Sequence, residues 1–351
     1  MRYAARFLNN KVFEGIMQSR AAHTLEDTFG RKHTYLRISV SERCNLRCVY
    51  CMPEEGVTLT SSPSLLTTEE VIYLAKQFAK AGVNKIRLTG GEPTVNKSIV
   101  SIVRELKSIP GINDVSMTTN AVTLSRQLPA LLEAGLTNVN ISLDTLVPQK
   151  FAFITRRTPK TLKKVREGLE AALNSEISSV KINVVVMQGF NEDELCDFAD
   201  LTKDSRLSVR FLEYMPFNGN KWSNLKFIPY QEQKRVLEER FGPLVSVTDT
   251  PDSTSNNFKI SDHVGTVGFI SSMSRNFCGG CNRLRLTHDG NLKVCLFGKD
   301  EVSLRDIIRT EHTEEGLMSV IDRAVKRKKF SHGGEQEIIK QMSRPMIFIG
   351  G

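Results

Sequence analysis

Six of the seven cysteines of this 351-residue chain fall into two triplets, Cys44, Cys48 and Cys51 in a C-x3-C-x2-C run, and Cys278, Cys281 and Cys295 around a Gly-Gly step. Clustered thiols read first as metal ligands. Thiolates are the usual ligands of iron-sulfur clusters, and a four-iron cluster held by only three of them keeps one iron open for another ligand. A structural zinc site wants four closed ligands. No fourth lies near the first triplet, whereas His288 could complete the second as a site of three Cys and one His, so zinc stays open there. Odd triplets suit a reducing compartment and metal better than paired bridges. The seventh, Cys196, falls on a predicted helix as a small buried apolar residue. Within the second triplet, Asn282-Arg283-Leu284-Arg285-Leu286 alternates so that both Arg side chains share a face, and guanidinium forks suit bidentate contact with phosphate.

These residues need a scaffold, and six β-like runs alternate with helical patterns at roughly thirty-residue spacing. The runs are Tyr35-Val40, Lys85-Thr89, Asp114-Asn120, Asn138-Asp144, Val180-Met187 and Ser208-Met215. Helices are expected near Thr67-Ala81, opened by the capping box Thr67-x-x-Glu70, and near Ile99-Ile109, Ser125-Ala134, Thr161-Asn174 and Asn191-Leu201. A doubly wound sheet would also fit six strands. Period-two alternation, however, gives each strand one apolar and one polar face. Helix-covered parallel strands are ordinarily apolar on both faces, so the polar face implies a wet cavity and a curved, partial (βα)6 barrel. Arg37, Lys85, Arg87, Lys181 and Arg210 would put five cations into it, which calls for a polyanion such as a triphosphate.

From Phe217 the rhythm changes to a helix near Tyr230-Phe241, short β-like runs, a hairpin turning at Asp289-Gly290, and two helices. The expected organisation is an N-terminal lead-in (1–33), the partial barrel (34–216) and a smaller α+β extension (217–351) on its open side. The basic run Arg323-Lys328 is expected to be a solvated helix end. A net charge of +9 favours an anionic partner. No apolar run is long enough to span a bilayer, so no membrane partner is expected. Residues 1–20 carry Arg2, Arg6, Lys11 and Arg20 against Glu14 alone, faintly like a mitochondrial transit peptide; without that role the chain would be cytoplasmic.

The first Cys motif, with Tyr50 just before Cys51, resembles the radical S-adenosylmethionine (SAM) superfamily. Together with Gly90-Gly91-Glu92-Pro93, Glu213-Tyr214-Met215-Pro216, the run from Cys278 to Arg285, Cys295 and the terminal Gly350-Gly351, it closely resembles the GTP 3′,8-cyclases, the MoaA-type family that opens molybdenum cofactor biosynthesis, and above all its eukaryotic, mitochondrial branch. The likeness runs from about Thr34 to the end.

That resemblance implies two [4Fe-4S] clusters, one on Cys44, Cys48 and Cys51 that binds SAM, one on Cys278, Cys281 and Cys295 that faces guanine. It implies SAM contacts at Tyr50, Gly90, Gly91, Glu92, Ser142 and Met215. GTP contacts are implied at Arg37, Lys85, Arg87, Thr118, Lys181, Arg210, Arg283, Leu284 and Arg285, with Arg283, Arg285, Gly350 and Gly351 serving catalysis. The implied reaction takes hydrogen from C3′ of GTP with a 5′-deoxyadenosyl radical and closes C3′ onto C8, giving 3′,8-cyclo-7,8-dihydro-GTP. Implied partners are a reductase or ferredoxin-type electron donor, the cyclic pyranopterin monophosphate synthase downstream, and a second copy in a homodimer; nucleic acid is not among them, and the compartment is the mitochondrial matrix. Two alternatives remain: a radical SAM enzyme acting on another nucleotide or on tRNA, and a zinc-stabilised nucleotide-binding module without catalysis.

Overall fold

The computed structural model describes residues 24–217, 226–248, 253–275, 277–310, 312–340 and 344–350. Gly351 and the basic segment 1–20 lie outside them. Twelve strands form one sheet in the order β12-β11-β10-β1-β2-β3-β4-β5-β6-β9-β8-β7. Its centre is β1 (Tyr35–Ser39), β2 (Lys85–Thr89), β3 (Asp114–Thr119), β4 (Asn138–Ser142), β5 (Ser179–Val186) and β6 (Ser208–Glu213), paired in chain order and all parallel. Such pairing follows from right-handed βαβ crossovers.

The crossovers are α1 (Thr68–Lys80), α2 (Ile99–Ser108), α3 (Leu124–Glu133), α4 (Pro148–Thr155), α5 (Thr161–Leu173) and α6 (Leu195–Asp200). The capping box at the start of α1 is complete: Glu70 N donates to Thr67 Oγ1 at 3.2 Å, and Thr67 N to Glu70 Oε2 at 2.8 Å. One apolar layer forms under these helices, with Leu36, Ile38, Ile86, Leu88, Val115, Met117, Val139, Ile141, Ile182 and Val209 all in a single core. The other face of the same strands is the polar one.

The C-terminal part is built onto both edges of this sheet. After α7 (Tyr230–Phe241), β7 (Val245–Ser246), β8 (Asn256–Lys259) and β9 (Thr266–Ile270) extend it beyond β6, with β9 parallel to β6. The chain then crosses the open side, and β10 (Arg283–Leu286) pairs parallel to β1. The antiparallel strands β11 (Asn291–Lys293) and β12 (Val302–Ser303) follow. Helices α8 (Leu304–Arg309), α9 (Glu314–Lys326), α10 (Glu335–Lys340) and α11 (Met346–Ile349) complete the chain. Residues 24–33 pack into this unit, with Leu25, Asp27, Arg31 and His33 all buried. No described helix is long and apolar enough to cross a membrane.

Candidate active site between two thiol triplets

The polar faces of the strands meet in a cavity of about 280 Å³. Its walls include Arg37, Lys85, Arg87, Thr118, Lys181 and Arg210, together with Arg283, Arg285 and all three cysteines of the second triplet. Register explains the gathering. Pairing of β10 with β1 sets Arg283 beside Tyr35 and Arg285 beside Arg37; pairing of β1 with β2 sets Arg37 beside Arg87; and Thr118, Asn140 and Lys181 are partners across β3, β4 and β5.

This concentration of charge perturbs its members. Arg87, Arg283 and Arg285 are only 6%, 7% and 8% exposed. Burial, then Arg285, Arg87 and Arg283 nearby, pushes the Arg37 guanidinium down to about 9. Burial and Arg87 do the same for Arg210, also to about 9. Lys181 is lowered to about 8 by burial, Arg210, Arg87 and Lys85. Buried polar atoms with no partner among the described residues include Arg87 Nη1, Arg285 Nε, Thr118 Oγ1 and Asn140 Oδ1. Several cations have neutral or acidic company: Arg210 donates to Asn183 Oδ1 through Nη2 at 2.6 Å, Arg37 Nη2 to Gly350 O at 3.5 Å, and Lys85 Nζ lies 3.0 Å from Asp114 Oδ2.

Tyr35 is a cavity residue that the sequence reading passed over, although period two places it on the face of Arg37. Its hydroxyl accepts from Arg87 Nε, and Lys85 Nζ stands 5.3 Å from its ring centre. Burial would raise its phenol, but Arg87, Arg37 and Lys85 outweigh burial and lower it to about 8. Leu284 has its side chain fully buried in the apolar core, because its place between Arg283 and Arg285 turns it to the helix-covered face, so the GTP contact implied there would be made by its backbone.

The first triplet sits in the loop after β1, at the C-terminal end of the sheet. Helix α4 holds that loop, with Arg47 N donating to Thr155 O at 2.9 Å and Val49 N to Ile154 O at 2.9 Å. Arg156, in the left-handed conformation at φ 50°, donates to the carbonyls of Arg47 and Met52, and Arg157 Nε donates to Asn45 O at 2.6 Å. Tyr50 is buried with its hydroxyl donating to Asp144 Oδ2 at 2.7 Å. Gly90 and Gly91 press against the loop backbone: a Cβ on Gly90 would lie 2.3 Å from Ser41 O, and one on Gly91 2.4 Å from Arg43 O. The Glu92 carboxylate is spent on Thr94, Thr119 and Asn120, so it ties the end of β2 to that of β3. Ser142 ends β4, and Met215 lines the cavity just past β6.

The second triplet is held from three sides. The buried Glu213 carboxylate accepts from Met273 N at 2.7 Å and Ser274 N at 2.9 Å, fixing the segment that leads to Cys278. Arg31 Nη1 donates to Cys278 O at 2.7 Å. Arg323, Lys326 and Arg327 are exposed as expected, but Lys328, the last of the basic run, is 4% exposed and reaches Cys281, with Arg31 donating to the carbonyls of Lys329 and Phe330 just after it. His288 cannot serve as a fourth ligand. It lies in the turn at the far end of the hairpin, seven residues of extended chain or roughly 20 Å from Cys281, with its backbone carbonyl bonded by Leu66 N.

None of these six cysteines is in a disulfide. Within each triplet the thiols are close enough to perturb one another, Cys48 by Cys51 and Cys44, and Cys278 by Cys295 and Cys281. Burial pushes the Cys51 thiol up to about 12, whereas at Cys281 burial is outweighed by the charges of Lys328 and Arg283, which lower the thiol to about 7. Three thiols in each triplet match the ligand count of a four-iron cluster with one open iron. The tail connects the two centres. Met346 packs with the apolar group containing Cys48 and Cys51 and with the group containing Cys295. Gly350, at φ 73°, lies so close to β2 that a Cβ would fall 2.1 Å from Thr89 Oγ1.

Two family models match this arrangement, Radical SAM superfamily over residues 38–202 and Molybdenum Cofactor Synthesis C over residues 207–334. A protein of Arabidopsis thaliana named GTP 3′,8-cyclase, mitochondrial is 52% identical over 96% of this chain and 86% of its own length. A GTP 3′,8-cyclase of Moorella thermoacetica is 42% identical over 93% of this chain and all of its own.

The chain belongs to the GTP 3′,8-cyclase family of radical SAM proteins.

Another relative, molybdenum cofactor biosynthesis protein 1 of Bos taurus, is 54% identical over 93% of this chain, which spans about half (51%) of that protein. Among solved structures, Streptococcus suis SuiB bound to S-adenosylmethionine matches with a TM-score of 0.54 at 15% identity, over 82% of this chain and 69% of SuiB. At that identity it shows a shared fold, the curved α/β sheet of this family.

Proposed function

We propose that this chain converts GTP to 3′,8-cyclo-7,8-dihydro-GTP, the first step of molybdenum cofactor biosynthesis, with SAM and two [4Fe-4S] clusters. The observation that carries the proposal is one cavity in which Arg37, Arg87, Lys181, Arg210, Arg283 and Arg285 converge beside Cys278, Cys281 and Cys295. When bound, the clusters and SAM supply a 5′-deoxyadenosyl radical, chemistry that belongs to the cofactors.

The chain's own residues position and shield. Cys44, Cys48 and Cys51 would hold the SAM-binding cluster, with Tyr50, Gly90, Gly91, Ser142 and Met215 around SAM and Glu92 bracing the glycines. Cys278, Cys281 and Cys295 would hold the second cluster toward guanine. Arg37, Arg87, Lys181, Arg210 and Arg285 would grip the triphosphate, with Lys85 at the rim. Thr118 would offer its unpartnered hydroxyl and Arg283 would fix the ribose. Holding C3′ in one orientation is the main catalytic contribution such residues make. Gly350 and Gly351 would close the chamber against water, since Gly350 already lies over the end of β2.

The proposed location is the mitochondrial matrix, supported by the word mitochondrial in the name of the Arabidopsis relative. A one-electron donor, a downstream cyclic pyranopterin monophosphate synthase and a homodimer complete the proposed setting. The test is spectroscopic. After anaerobic reconstitution the protein should carry roughly eight irons, and GTP should alter the EPR signal of one cluster while SAM alters the other. A single cluster, or GTP without spectral effect, would overturn the assignment.

A further inference from the structure

Lys328 is a buried cation that neither family resemblance nor the cavity accounts for. Its ammonium has three protons and three acceptors: Cys281 Sγ at 3.4 Å, Arg283 O at 3.0 Å and His33 Nε2 at 2.9 Å. His33 is set to accept, because its Nδ1 faces Leu25 O at 3.1 Å, and a carbonyl can only take a hydrogen bond. Nδ1 therefore carries the proton and Nε2 the lone pair. Around this triad, Arg31 donates to Cys278 O, Lys329 O and Phe330 O, and its Nε bonds Asp27 Oδ2 at 2.6 Å.

We propose that Lys328, oriented by His33, is the charge partner of the second cluster: it neutralises the Cys281 sulfur, holds that ligand in place, and sets the reduction potential of the cluster. The inference rests on Cys278, Cys281 and Cys295 being cluster ligands. Burying an ammonium for packing alone is costly, and an apolar side chain of equal length would fill the same space. A full complement of acceptors, one of them a ligand sulfur, is what a retained interior charge requires. Hydrogen bonds and net charge at cysteinyl sulfurs are among the main determinants of cluster potential. The residues that orient Lys328 come from the segment preceding β1, before the matched Radical SAM region begins at residue 38, which gives that segment a task at the second centre.

The test is an EPR-monitored redox titration of the reconstituted full chain with Lys328→Met and Lys328→Arg, together with iron counts and the rate of iron loss to a chelator. In Lys328→Met, one of the two midpoints should move to lower potential. At a fixed potential the reduced-to-oxidised ratio of that cluster should fall at least tenfold, or about 59 mV for a one-electron couple, while the other midpoint stays put. Lys328→Arg should restore most of the shift. Loss of about four irons in Lys328→Met but not in Lys328→Arg would support the same role. Two unchanged midpoints with unchanged iron loss would overturn it, as would Lys328→Arg behaving like Lys328→Met, which would make the role one of shape. A native chain that takes up well under eight irons would instead refute the reading of the ligands.

Discussion

Replacing Arg87 with Met should weaken GTP binding and strengthen the empty protein at the same time. Arg87 stands at the centre of the cation group: its charge helps lower Arg37, Lys181 and Arg210, and for Arg210 it is the foremost of the neighbouring charges. A charge-assisted hydrogen bond to phosphate contributes about 1.5–3 kcal/mol, so losing the free Nη1 donor should raise Kd by roughly 10- to 150-fold. Without ligand the sign reverses. Two like charges about 8 Å apart at an effective dielectric of 20 repel by about 2 kcal/mol before screening, and loss of the bond from Arg87 Nε to the Tyr35 hydroxyl takes back about 1 kcal/mol, so removing Arg87 should stabilise the apo fold by roughly 1 kcal/mol. Anaerobic calorimetry with GTP reads the first effect, and thermal unfolding without nucleotide reads the second. An apo protein that melts lower while GTP affinity stays at the native value would refute the idea that these cations are held in strain for a polyanion.

Other expectations follow from the same geometry. GTP affinity should fall as pH rises above about 8, because Lys181 loses its proton there; the same depressed value means that ligand-free stability from this group rises between about pH 8 and its unfolded value of 10.5, where the unfolded chain binds more protons. Lys181→Met should flatten both profiles in binding and melting titrations. Gly350→Ala should expel the tail, since its Cβ would overlap Thr89, abolishing cyclised product while 5′-deoxyadenosine still forms; normal cyclisation would refute the placement of the tail. Gly91→Ala should disorder the first Cys loop through Arg43 O, dropping iron from about eight to about four per chain. Arg283→Ala should uncouple SAM cleavage from cyclisation, and complete loss of 5′-deoxyadenosine would contradict that role.

Much of this was legible in the sequence where a local rule applies. The six central strands, the capping box of α1 and the inward cations all follow from period and cap chemistry, and β2 spans the expected Lys85–Thr89. What stayed hidden depends on chain order in space. Nothing local tells that β10 returns to pair with β1 and β9 with β6, so the edges of the sheet that the C-terminal extension continues could not be read from sequence. Helix α4 went unseen because eight residues with an apolar Phe151-Ala152-Phe153-Ile154 run carry no clear 3.6 period, yet it anchors the first Cys loop. Lys328 looked like one more exposed base at a helix end; only the turn at residues 327–330 takes it inside. For Leu284 alternation assigns the side chain to the core and leaves the backbone for the GTP contact that the resemblance implies.

The most direct measurement is anaerobic incubation of the reconstituted protein with GTP, SAM and a one-electron reductant, quantifying 5′-deoxyadenosine and nucleotide products together. The account predicts equal amounts of 5′-deoxyadenosine and a cyclised isomer of GTP, both lost without Cys44, and the cyclised isomer lost without Cys281. Abundant 5′-deoxyadenosine with GTP recovered unchanged, or a cyclised product that survives loss of the second triplet, would contradict it.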